Sequence, residues 1–271
     1  MNASVLVAMV VAAGVLAVAA VGYRLNKRRV DDARKRRLLA KIQNRIWSHA
    51  VTIRVSTIVD AREASWNTAT GTLVRLEARL FVFTAWHVIN KFVEIREQSG
   101  TPLLIIGNYP MLSPRFVYLD EISDLIVLEV DAAALRGIGA VPYEPVHQWP
   151  PPRVKVDDPI MLCGFPALLR LDGDEILHGD YSFFGSVESV SERQFIVQLD
   201  RDNVEDAGRV PFPNVGADLG GLSGCPVFVL YPDHMQFVGV FSQAARTAPV
   251  WIIRSIAGLP ENLGALAALP V

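Results

Sequence analysis

Short apolar runs rich in β-branched residues, each closed by a polar or turn-forming stretch, recur from Val51 to Ile253. Runs of this length are too short to bury a helical face, so their backbones must be satisfied by pairing with one another. Val51-Thr52-Ile53-Arg54-Val55 alternates with period two, the pattern of a half-buried strand. Thr68 to Val74 and Arg79 to Phe83 read as paired strands turning near Glu77 and Ala78. Val93-Glu94-Ile95, Leu103 to Ile106 and Leu125 to Val130 continue the series. Further strands are expected at Pro159 to Cys163, Ser182 to Phe184, Gln194 to Leu199, Val227 to Leu230, Phe237 to Phe241 and Val250 to Ile253. Between the two groups, Trp149-Pro150-Pro151-Pro152 cannot lie inside a central strand and reads as a stiff connection. The expected fold is all-β, a sandwich or barrel architecture in two halves, about 50–148 and 153–258.

The amino end is a different material. Val5 to Tyr23 carries no charge, and about 19 apolar residues reach across a hydrocarbon core as a helix. Residues 1–23 are therefore expected to form a transmembrane anchor. Arg24, Lys27, Arg28, Arg29, Arg34, Lys35, Arg36, Arg37 and Lys41 follow it. Positive charge gathers on the cytoplasmic side of a membrane helix, so the bulk of the chain is expected in the cytoplasm. The competing reading is a cleaved leader and an exported protein. It has small residues at Ala17-Val18-Ala19-Ala20, but no Lys or Arg precedes the apolar run. Residues 24–49 read as a basic juxtamembrane helix or linker, with Leu38, Leu39, Ile42 and Ile46 on one stripe. Its charges are either solvated or touch anionic lipid heads. Residues 259–271 read as a C-terminal tail.

Composition narrows the function classes. With 271 residues and a hydrophobic fraction of 51% the chain has ample core. A net charge of −2 gives no reason to expect a nucleic-acid partner. The two cysteines, Cys163 and Cys225, are too few for a disulfide framework and read as free thiols rather than a bridge.

Chemistry concentrates at Gly220-Gly221-Leu222-Ser223-Gly224-Cys225-Pro226. A nucleophilic serine needs an exposed hydroxyl, backbone N–H groups aimed at a developing oxyanion, and no bulky neighbour. It also needs a base, normally histidine, and a carboxylate to orient that base. Of the five histidines, His87 directly follows the apolar strand that ends at Phe83-Thr84. Asp124 opens the buried strand Leu125-Ile126-Val127-Leu128. Each residue alone has an ordinary reading, as a packed or surface histidine, a turn-forming aspartate and a serine in a glycine turn. His147, His178 and His234 fall in or beside polar loops and read as surface residues. The acidic turn before His178 lacks calcium-loop spacing. No zinc or phosphate-binding motif is present, so no metal or cofactor is expected.

His, Asp and Ser, in that order along a two-part β chain, resemble the trypsin-like (chymotrypsin-fold) serine peptidases, and most nearly bacterial relatives such as the Deg/HtrA group. Thr84-Ala85-Trp86-His87 resembles the family's Thr-Ala-Ala-His motif, and Asp124-Leu125-Ile126-Val127-Leu128 its Asp-Leu-Ala-Val-Leu strand. Gly221-Leu222-Ser223-Gly224-Cys225-Pro226 resembles its Gly-x-Ser-Gly-Gly-Pro block. The resemblance covers roughly Val51 to Ile256. It implies two six-stranded Greek-key β-barrels forming a peptidase domain over 50–258. It also implies a triad of His87, Asp124 and Ser223, with an oxyanion hole from the N–H groups of Gly221 and Ser223. Phe241, Ser242 and Gln243 would pair with an extended protein or peptide substrate. Ala217, six residues before the serine, would leave a pocket for a small or medium apolar side chain.

Three departures accompany the likeness. Leu222 stands where digestive-type members carry an aspartate that pairs with a freed N-terminus, and an anchored N-terminus closes that route. Cys225 stands where the family has a second glycine. Nothing after Ile256 has the length of the PDZ domain carried by many Deg/HtrA members. The sequence therefore leads to a membrane-anchored serine endopeptidase. Its rival is a catalytically silent trypsin-like domain that serves as a membrane-tethered protein-binding module.

Overall fold

The computed structural model describes residues 37–59, 62–98, 101–166, 170–171, 177–178, 181–198, 220–244 and 250–269. The expected anchor over 1–23 and the pocket residue Ala217 lie outside the described residues. Among those described, no helix is long and apolar enough to cross a membrane. A helix, α1, covers 37–47. Within its expected apolar stripe Leu38 is exposed and Ile46 is buried.

Among the described residues the fold is mostly β, in two large sheets and one two-stranded ladder. The first holds β1 (Ala50–Val59), β2 (Arg62–Leu76), β3 (Arg79–Thr84), β4 (Pro102–Ile106), β5 (Tyr109–Met111), β6 (Arg115–Asp120) and β7 (Leu125–Val130). Its strands are antiparallel in the order β5-β4-β1-β2-β3-β7-β6. The second holds β8 (Pro159–Gly164), β11 (Tyr181–Val190), β12 (Gln194–Gln198), β13 (Pro226–Leu230), β14 (Met235–Ala244) and β15 (Val250–Ser255). These close into a barrel, β11-β12-β15-β14-β13-β8. Between β8 and β11, the short β9 (Arg170–Leu171) and β10 (Leu177–His178) form a separate two-stranded ladder.

One six-stranded barrel is thus present, compatible with a chymotrypsin-like fold. The expected first barrel is instead a seven-stranded, curled half-barrel with β5 and β6 as its margins. Two features mark those margins. Pro110 sits in the three-residue β5 and offers no N–H to a further ladder. At the other margin the C-terminal segment is engaged, where Leu269 N–H donates to the Phe116 carbonyl at 2.7 Å.

A second expectation is corrected in the first half. Val93-Glu94-Ile95 is not a strand but part of α2, Trp86–Glu97. Its buried residues Val88, Ile89 and Phe92 recur at helical spacing and fill the hollow of the half-barrel against Leu104, Ile106, Phe116 and Leu128. The β-branched content of three residues suggested a strand, but the burial of one helical face decided the outcome. A one-turn helix, α3 (Leu135–Ile138), precedes the connection between the halves.

Strand β3 is buried on both faces. Leu80 and Val82 enter the first core, while Phe83 on the opposite face meets Phe237 edge-on at 5.5 Å between ring centroids. Tyr143 from the connecting segment packs on Phe228 at 5.1 Å. The two sheets therefore meet through aromatic rings, which bury large areas and lock by edge-to-face geometry.

Candidate active site

Thr84 ends β3, Ala85 is extended, and α2 begins at Trp86. A helix leaves its first N–H groups without partners inside the helix, and Ala85 has no polar side chain to cap them. Asp124 fills that role from the turn before β7. Its carbonyl accepts from Trp86 N–H at 3.2 Å, and its Oδ1 accepts from His87 N–H at 2.9 Å. A carboxylate at a helix N-terminus is also favoured by the helix dipole. The turn is shaped by Asp120, whose carboxylate accepts from Ser123 N–H at 3.0 Å and Ser123 Oγ–H at 2.6 Å. Asp124 itself has φ +49°, a left-handed conformation that aspartate tolerates better than most side chains.

These contacts bring the His87 ring to the same carboxylate. Nδ1 lies 2.9 Å from Oδ2 and 3.1 Å from Oδ1 of Asp124. An ionised carboxylate only accepts, so in the neutral ring Nδ1 carries the hydrogen and Nε2 keeps its lone pair. Nε2 lies 2.9 Å from Ser223 Oγ. The serine hydroxyl thus has a base in line and, at 3.2 Å, a second acceptor in the Ser242 carbonyl. The side chain of Ser242 donates to Asp124 Oδ2 at 2.6 Å. Burial pushes the Asp124 carboxyl up, but the donations from His87 and Ser242 outweigh it and hold the group below its ordinary value. The His87 side chain is 52% exposed and that of Asp124 16%. The ring is therefore open to an incoming molecule while the carboxylate behind it is shielded.

Ser223 follows a tight loop that two glycines permit. Gly221 has φ +91° and Gly224 φ +83°, values that L side chains rarely adopt. At Gly224 a Cβ would also lie 2.1 Å from Thr84 Oγ1 and 2.2 Å from the Thr70 carbonyl. Among the described residues, no acceptor is engaged by the N–H of Gly221 or of Ser223.

The departures at Leu222 and Cys225 have a packing role. Both side chains are fully buried in the core of the second barrel. A Cβ on Gly164 would lie 2.7 Å from each of them, so the two fill the space this glycine leaves. Burial pushes the Cys225 thiol far above its ordinary range, and a buried protonated thiol is inert. Cys163 and Cys225 are both buried and neither forms a disulfide.

The three residues expected to pair with a substrate are placed differently. Phe241 is in the barrel core against Trp251 at 5.3 Å. Its N–H donates to the Cys225 carbonyl and its carbonyl accepts from Gly224 N–H. Ser242 falls at a bulge where the β14–β15 register shifts between Phe241 and Gln243, and bulges re-aim side chains next to sites. Gln243 is exposed. Thr70, Thr84 and the hydroxyl of Ser242 belong to the site and were not singled out for these contacts by sequence, because only the fold brings β2, β3 and β14 together there.

The other histidines lie elsewhere. His147 and His234 meet at 4.3 Å between ring centroids, and His234 Nδ1 is paired with Asp233 at 2.8 Å. His178 is in β10. Among the described residues no group of three or more His, Cys, Asp or Glu side chains could hold a metal ion. No protein-family model matches the chain, and no curated protein matches it in sequence.

Proposed function

We propose that the protein is a trypsin-like serine endopeptidase in which Ser223, His87 and Asp124 act as nucleophile, base and orienting carboxylate. The observation that carries this reading is the unbroken hydrogen-bonded line from Asp124 through His87 to Ser223 Oγ at 2.9 Å. Ser223 Oγ attacks a peptide carbonyl carbon as its proton passes to His87 Nε2. The carbonyl oxygen takes the negative charge and meets the N–H groups of Gly221 and Ser223. Collapse breaks the C–N bond, and the imidazolium returns its proton to the departing amine. Water then cleaves the acyl-enzyme, again with His87 as base. Asp124 stays ionised, keeps the useful tautomer and offsets the ring's transient charge.

The uncharged run from Val5 to Tyr23 and the basic cluster after it support tethering of this domain to a membrane, on the cytoplasmic face. Intact mass of the full chain checks this: loss of roughly the first twenty residues, the length of a signal peptide, would replace the anchor by a cleaved leader.

The activity is tested with a fluorophosphonate probe, which phosphonylates an activated serine. Labelling of the wild-type chain that disappears in Ser223→Ala and in His87→Ala is the expected result. A folded wild-type chain that takes no label sinks the enzyme reading and leaves a protein-binding module.

A further inference from the structure

We infer that Thr70, from the first sheet, is the positioning residue that sets the oxyanion-binding loop of Ser223; this rests on the hydrolase reading above. Thr70 is fully buried and every polar group of it is engaged. Its Oγ1 donates to the Gly221 carbonyl at 2.7 Å. Its backbone N–H donates to the Ser223 carbonyl at 3.0 Å. Its Oγ1 accepts from Phe165 N–H at 2.9 Å, at the end of β8. Its carbonyl accepts from Thr84 Oγ1 at 2.9 Å, just before α2 and His87.

One residue, through its hydroxyl and its backbone, thus contacts the Ser223 loop, the end of β8 and Thr84. The geometry matters because of which peptides it holds. The proposed oxyanion donors are the N–H groups of Gly221 and Ser223, and they belong to the peptides on either side of the Gly221–Leu222 bond. Glycine, with its free φ and ψ, resists reorientation of that peptide plane less than any other residue would. The Thr70 hydroxyl pins the carbonyl of Gly221, and the Thr70 N–H pins the carbonyl of Ser223. From below, the buried Leu222 side chain anchors the residue between them in the second barrel. Held at both carbonyls and at its middle side chain, the loop presents its N–H groups in one orientation before substrate arrives. Such preorganisation is where electrostatic catalysis gains most. In Thr70 the two sheets are coupled at the point where each contributes to the site.

The test uses Thr70→Val, which keeps the shape and removes the hydroxyl, Thr70→Ser, which restores it, and wild type, all as the full chain. Fluorophosphonate labelling of wild type is the first arm. Steady-state hydrolysis of a peptide ester follows, with thermal melting as the check on folding. The expected result is a kcat lower by about tenfold to a hundredfold in Thr70→Val, the size of effect that misplacing reacting groups produces. KM should stay close to wild type, and Thr70→Ser should recover most of the rate. Should Thr70→Val fail to fold, Thr70→Ala takes its place against the same Thr70→Ser control. A labelled wild type whose kcat is indifferent to loss of the hydroxyl overturns this inference and leaves the hydrolase standing. So does a Thr70→Ser variant as slow as Thr70→Val. A folded wild type that takes no label overturns both.

Discussion

At the scale of single residues, Asp124 does more than face His87. It caps α2 through its carbonyl and Oδ1, orients the imidazole, and receives the Ser242 hydroxyl. Its lowered pKa has a defined consequence for stability. A carboxyl whose folded pKa lies below its ordinary value of 3.8 contributes stability that is complete above the unfolded pKa. That contribution is lost as pH falls through the lower, folded pKa. Ser242→Ala removes one donor to the charged form, so the folded pKa rises toward the unfolded one and the acid loss becomes smaller, ending at a higher pH than in wild type. The same substitution should lower stability at neutral pH by about 1.5–3 kcal/mol, the range for hydrogen bonds to charged groups. Urea melts of both proteins across about pH 2 to 6 check this, and superimposable acid limbs would remove Ser242 from the carboxylate's support. His87, Asp124 and Ser223, which the fold brings within hydrogen-bonding distance of one another, could be singled out in sequence because each lies beside an apolar strand with a recognisable neighbourhood. Ser242 was expected only as part of the strand that would pair with a substrate. Its hydroxyl gains a meaning once the β14 bulge turns it toward a residue in the other sheet.

At the scale of elements, the strands of the second barrel were located by their apolar centres, but β11 runs from Tyr181 to Val190 where only Ser182 to Phe184 was expected, because its second half is largely exposed. The first half was read less well, and for physical reasons. β5 and β6 are a short margin and a strand of mixed burial, neither of which leaves a clean period. Helix α2 carries Val93 and Ile95, residues that favour strands, while its true signal is Val88, Ile89 and Phe92 on one face. The loop between β12 and β13 ends in a junction whose tolerance is sharply defined. Gly224 combines positive φ with close approach to Thr84 Oγ1 and the Thr70 carbonyl. Gly224→Ala should destabilise the protein by about 2–4 kcal/mol, since both the backbone strain and a displaced neighbour count against it. Denaturant unfolding measures this, and a change within about 0.5 kcal/mol, as at an ordinary surface site, would mean the loop adopts another path. Close to it, Cys225 should resist alkylation by iodoacetamide in the native state and react once the barrel unfolds, because its thiol is buried and protonated.

At the scale of the whole molecule, the two sheets are joined by a connection that runs past a buried histidine. His49 is only 6% exposed, and its Nδ1–H donates to the Val141 carbonyl at 2.8 Å. Its own carbonyl accepts from Leu73 N–H in β2. The ring lies 5.6 Å from Tyr143 and 6.0 Å from Phe228 of the second barrel, centroid to centroid. The end of α1, the first sheet, the connection and the second barrel all meet there, so the charge state of His49 bears on the whole fold. Burial pulls its pKa down from 6.5, against the raising effect of the Val141 hydrogen bond. The unfolded chain therefore binds the proton more readily than the folded one. Stability is complete above about pH 6.5 and declines as pH falls below it, by at most about 1.4 kcal/mol per pH unit while only the unfolded state is protonated. His49→Gln keeps an amide able to donate to the Val141 carbonyl and removes the titration. Its stability at neutral pH should drop modestly, and its loss between about pH 6.5 and 5 should be smaller than in wild type by the single-proton slope. Urea unfolding of the two proteins at both pH values decides it. An unchanged pH dependence in His49→Gln would place the acid sensitivity in another group and leave this junction as packing alone.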